Sequence, residues 1–165
     1  MPELSPVYTE MRDTLLAVLP ETSSMRPTDE LPHVYGAVVD IGFEPLFTVI
    51  AFADGTTSVY DATGGAAVGL GEMVEFRVLS HGLLRAVEAN LRAFGPVEST
   101  PVPLFGLVRI TVLAYDGRLG VEVNGPALLT GKHKLAAIFS TAMAIMSRAQ
   151  QLTEQGAGRK GPSAP

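Results

Sequence analysis

The order of apolar and polar positions divides the chain into stretches of helical period and stretches that alternate. Tyr8, Met11, Leu15 and Val18 recur at intervals of three and four, which makes one face of a first helix apolar. Ser5-Pro6 ahead of them is an N-cap followed by proline at the first helical position, and Pro20 stops the helix. Residues 21–32 are polar, show no period and read as a connector. From residue 34 to residue 60 the period becomes two. Residues 34–39, 46–53 and 56–60 predict three strands, with a break at 42–45 and a tight hairpin turn at Asp54-Gly55. In the second of these, Leu46, Ile50 and Phe52 fall on one side and Phe47, Val49 and Ala51 on the other. A strand apolar on both sides is predicted to be covered on both, by helices or by another subunit.

Residues 63–94 are the stretch around which the rest is organised: a glycine-rich turn that feeds a long amphipathic helix. Gly64, Gly65, Gly69 and Gly71 are followed by Met73, Phe76, Leu83, Val87, Leu91 and Phe94, which share a helical face. Val74, Phe76 and Val78 would also alternate in a strand over 73–80. The longer period favours one helix, with Gly82 tolerated inside it at about 1 kcal/mol. Glu88 and Arg92 have the spacing of an i,i+4 ion pair, and Gly95-Pro96 ends the helix.

Residues 107–115 and 119–123 predict two more strands, joined at Asp116-Gly117, and residues 125–132 a loop. Leu135, Ile138, Ala142, Ile145, Ala149 and Leu152 define a last helix, apolar nearly all round in its first half. Residues 154–165 are rich in Gly, Ala, Ser and Pro and predict a mobile tail. The order α-β-β-β-α-β-β-α gives an α+β class. It predicts a single antiparallel sheet of about five strands with three helices, one domain over residues 1–153.

Composition narrows the function classes. The net charge of −5, from 12 basic and 17 acidic residues, disfavours a nucleic-acid partner, which needs Lys and Arg to neutralise phosphates. No cysteine is present, so thiolate nucleophiles, thiolate metal sites and disulfides are excluded. The N-terminal residues carry charges and lack a signal-peptide core, and the apolar run at 135–146 is too short to span a membrane. A cytoplasmic protein is the expectation.

Candidate chemistry is sparse. Thr63, Gly64, Gly65, Gly69 and Gly71 could present backbone amides to a phosphate at a helix N-terminus. Leu70 stands where a phosphate-binding loop would place lysine, and Glu72 and Glu75 would repel an anion, so a tight structural turn is the competing reading. His33, His81 and His133 lack metal-ligand spacing. Asp40, Asp61 and Asp116 sit at predicted strand ends or turns, where aspartate is ordinary. Met143 and Met146 could line an apolar cavity, or belong to the core or a dimer seam. No catalytic constellation, metal site or cofactor motif is expected.

Val34-Tyr35-Gly36, the 53–60 hairpin, Thr63-Gly64-Gly65 with Gly69 and Gly71, and Tyr115-Asp116-Gly117 resemble a group of uncharacterised small bacterial proteins. That likeness covers most of residues 33–152 and implies no activity. In element order the chain is similar to roadblock, longin and profilin-like modules. This second resemblance implies a dimerising scaffold or regulator of small GTPases. The leading expectation is a non-enzymatic homodimeric interaction module with a possible further protein partner. The alternative is a binder of a phosphate- or nucleotide-containing small ligand, or a cryptic enzyme, using the 64–71 turn.

Overall fold

The computed structural model describes residues 3–159, with side chains through residue 155. It is an α+β protein built on one antiparallel sheet. The strands are β1 (Val34–Ile41), β2 (Phe47–Phe52), β3 (Thr57–Asp61), β4 (Ala66–Ala67), β5 (Gly95–Pro96), β6 (Leu107–Ala114) and β7 (Gly117–Asn124), in the order β4-β3-β2-β1-β6-β7-β5. The helices are α1 (Pro6–Leu16), α2 (Val74–Ala89), α3 (Gly125–Leu129) and α4 (Ala136–Arg159).

The sheet has seven strands rather than five because two-residue strands extend both edges. Ala66-Ala67 folds back on Val59 and Tyr60, and Gly95-Pro96 pairs with Leu119 and Gly120. Neither is long enough to show a period, and Pro96 belongs at an edge because it has no N–H to donate. The fourth helix lies where a loop is expected: Pro126 sits in the first turn of α3. A single turn carries too few residues for an apolar stripe. The second helical segment is helix rather than strand over Val74–Ala89, but it stops short of Gly95-Pro96: a separate 3-10 turn holds Leu91–Ala93, and Val74 and Val78 face solvent.

The central hairpin is buried along its whole length. All eight residues of β1 and all six of β2 are buried. On one face Val39, Ile41, Val49, Val108, Ile110 and Val112 pack under α2 and α4, against Phe76, Leu83, Leu84, Ile138 and Ile145. On the other face Tyr35, Val38, Ile50, Phe52 and Leu113 pack under α1, against Tyr8 and Leu16. Both faces of β2 are therefore covered by helices of the same chain.

Three local expectations change. On α1 the buried positions are Tyr8, Arg12 and Leu16; Met11 and Leu15 are only partly covered, as is Val18 beyond the helix end. Glu88 does not pair with Arg92. Its carboxylate accepts from the His33 and Val34 amides, at 2.8 and 3.3 Å, and fastens the end of α2 to the start of β1. Two backbone amides on one carboxylate hold it better than an exposed i,i+4 cation does. Helix α4 continues to Arg159, into the stretch expected as a tail, while residues 160–165 lie outside the described residues.

Candidate functional site

The glycine turn is a self-contained Asx turn. The Asp61 carboxylate accepts from the Thr63 amide at 2.8 Å and from the Gly65 amide at 3.2 Å, and also from the Thr63 hydroxyl. The Asp61 amide in turn donates to the Gly65 carbonyl at 2.9 Å. A Cβ at Gly65 would collide with Asp61 Oδ2 and push the carboxylate out of the turn. The amides that could have cradled an anion thus already hold one, supplied by the chain itself. Partial burial raises the Asp61 pKa, but the Thr63 hydroxyl and the turn amides outweigh it and hold the group below its ordinary 3.8.

A depressed carboxyl stabilises the fold above its unfolded pKa and loses that contribution as pH falls through the folded one. Asp61→Asn should therefore flatten the acid limb of the stability curve below about pH 4. Thermal melts of both proteins across that range check it.

Gly69 and Gly71 are not part of this cradle. Gly69 precedes and Gly71 lies within a 3-10 turn over Leu70–Glu72, and α2 begins at Val74 with no side-chain cap. Gly71 is pressed against the β2–β3 hairpin, where a Cβ would meet the Gly55 carbonyl oxygen. The Arg77 guanidinium donates to the Gly71 and Glu72 carbonyls, at 2.9 and 3.2 Å, and locks that approach.

Two clefts flank the Phe43-Glu44-Pro45 loop. One, of about 380 Å³, also involves Glu3, Thr63, Pro103 and Phe105. The other, of about 500 Å³, runs between the sheet and α4 and is floored by Phe47 and Val59, with Met143, Met146 and Ala149 as its helical wall. Gly65 and Asp61 form part of its margin. Ile145 is core, whereas Met146 is buried against the cleft and Met143 half-buried beside it. Among the described residues lining either cleft the charged ones are all acidic: Glu3, Glu44, Asp61 and Glu154. Arg109 and Lys132 lie elsewhere, and Arg109 pairs with Glu122 at 2.5 Å.

The residues that periodicity passes over are Arg12 and Asp40. Asp40, the penultimate residue of β1, is fully buried. Arg12 Nε and Nη2 donate to its two oxygens at 2.9 and 2.7 Å, and Nη2 also donates to the Thr100 carbonyl at 2.7 Å. Thr48 donates to Asp40 at 2.6 Å, which leaves its oxygen to accept from the Tyr8 hydroxyl at 2.7 Å. Burial, then the Asp40 charge, pushes the Tyr8 phenol well above its ordinary value. Burial lowers the Arg12 pKa, but the bonds to Asp40 outweigh it and raise the value. Neither of the two clefts is lined by these residues, and the network ties α1 and the 97–105 connector to the sheet. The signal was a carboxylate inside a strand otherwise apolar on both sides, which requires a cation on whatever covers it.

The three aspartates do not converge. Asp40 lies under α1, Asp61 in its own turn, and Asp116 in the turn between β6 and β7. His33 contacts Glu88 at 3.0 Å, His81 contacts Glu30 at 2.5 Å, and His133 Nδ1 accepts from the Leu135 amide at 3.0 Å. Among the described residues no group of three metal-ligating side chains occurs, and no helix is long and apolar enough to cross a membrane.

Protein-family models, curated proteins and solved structures offer no match to this chain. Its geometry is therefore the only guide to its function.

Proposed function

We propose that this chain is a non-enzymatic protein-interaction module that works as a homodimer through the outer face of α2. The observation that carries the reading is the pairing of exposed valines with an unexplained glycine. Val74 and Val78 are each 65% exposed, one turn apart, and Gly82 continues the same stripe. Beyond the adjacent backbone of its own helix, a Cβ at Gly82 would meet nothing within 4 Å. Glycine mid-helix costs about 1 kcal/mol relative to alanine, and nothing intramolecular requires it. Close approach of a second helix would. The exposed valines also form an apolar stripe on this face, which suits an isologous contact.

The two substitutions test it differently. Gly82→Ala should stabilise an isolated subunit by about 0.5–1 kcal/mol, while weakening self-association if a partner helix sits on the glycine. Val78→Glu should weaken association about tenfold or more, because it buries a carboxylate in the seam. Light scattering across micromolar concentrations reads both. A strict monomer in every case would remove the proposal. A seam of standard size buries about 800 Å² per subunit, more than this stripe alone offers, so neighbouring residues such as Met73 and Arg85 belong to it.

The competing reading, a small phosphate-bearing ligand at the glycine turn, has a cleft beside it. Its charge is unfavourable: the turn amides already bind Asp61, and the described lining residues include no cation. A thermal-shift series with nucleotides and inorganic phosphate should move nothing, and a shift of several degrees would restore that reading.

A further inference from the structure

The 500 Å³ cleft along α4 has a shape and a charge that the α2 face does not share. Its wall is made by Met143, Met146, Gln150 and Thr153, an i, i+3, i+7, i+10 stripe that runs parallel to the helix axis. Ten residues at 1.5 Å per residue make the wall about 15 Å long, between two and three helical turns. The stripe is on the side of α4 opposite Arg148, which contacts Glu75 of α2 at 3.1 Å. No element of the chain therefore covers it from that side among the described residues. Its floor is the apolar end of β2 and β3, at Phe47 and Val59, and Phe43 closes one end.

We infer that this cleft docks a basic amphipathic helix from a partner protein. The apolar face of such a helix would lie on the partly exposed Phe43, Ala67 and Met143, above the buried Phe47, Val59 and Met146, in the helix-in-groove manner. Methionine side chains adjust to irregular apolar surfaces, and two of them stand along the wall. Lys and Arg on the helix flanks would face Glu44 at one end and Glu154 at the other, both exposed. With no described cation on the rim, a basic helix meets complementary charge and an acidic one meets repulsion. The inference is independent of dimerisation through α2.

The test uses the full chain and a fluorescent synthetic peptide of about 18 residues, with leucine and lysine at helical spacing. A counterpart carries glutamate in place of each lysine. Fluorescence anisotropy should show saturable binding of the lysine peptide that weakens with added salt, and binding of the glutamate peptide at least about tenfold weaker. The double variant Glu44→Lys with Glu154→Lys should lose about tenfold or more of the lysine-peptide affinity while keeping its melting temperature, since both positions are exposed. Val78→Glu should bind the peptide as the parent does. Equal binding of the two peptides, or an unaffected double variant, would overturn the inference. So would a double variant that changes the mass in solution but not peptide binding, because a second copy would then cover the cleft.

Discussion

Asp40→Ala should destabilise the protein by about 3–5 kcal/mol, because it leaves the Arg12 guanidinium buried with no counter-charge. Arg12 is 5% exposed, and its remaining partner would be the Thr100 carbonyl. Thr48 would also lose its acceptor, and the Tyr8 hydroxyl would lose the orientation that Thr48 imposes. Such a network is worth more intact than its pairwise deletions suggest. The loss should fall first on α1, which is joined to the sheet by few apolar side chains besides Tyr8 and Leu16. Urea denaturation measures the total. Hydrogen exchange should show the amides of Pro6–Leu16 opening well before those of β1 and β2. Combining Asp40→Leu with Arg12→Met should recover a large part of the loss, since an apolar pair leaves no buried charge. A single-variant cost below about 1 kcal/mol would mean that Arg12 reaches water when unpaired.

Gly71→Ala should cost about 2–3 kcal/mol, the largest effect expected from any methyl group added in the glycine-rich stretch. The added Cβ would collide with the Gly55 carbonyl oxygen and crowd its carbonyl carbon, and backbone cannot rotate aside as a side chain can. Relief requires the β2–β3 hairpin and the 3-10 turn over Leu70–Glu72 to part. That movement would pull Arg77 from the carbonyls it holds and uncover Leu70, which is buried against the core. Denaturant midpoints compared with Gly82→Ala supply the contrast. The same chemical change at two glycines should lower stability at one and raise subunit stability at the other. Equal effects would show that the hairpin is looser than the close approach implies.

Much of the architecture was legible because period is a local property. The alternation through β2, the switch to helical spacing after Gly71 and the two Asp-Gly hairpin turns each follow from residues a few positions apart. The two-residue edge strands and α3 were not legible, since two or five residues cannot display a period. The glycine turn was legible as a turn but not as an occupied one. Its amides bind Asp61, at the end of the preceding strand, and spacing alone does not reveal which way that carboxylate points.

Local pattern therefore determined the class and the order of the longer elements. Tertiary structure decided what meets across long separations. It placed Arg12 on Asp40, 28 residues away, and Glu88 on the start of β1, 55 residues from His33. It brought the β1–β2 loop, the Asp61 turn and the last helix together around one acidic-rimmed cleft. Burial and charge pairing are sums over all the elements that pack on a residue, and a chain read in order shows only its neighbours along the backbone.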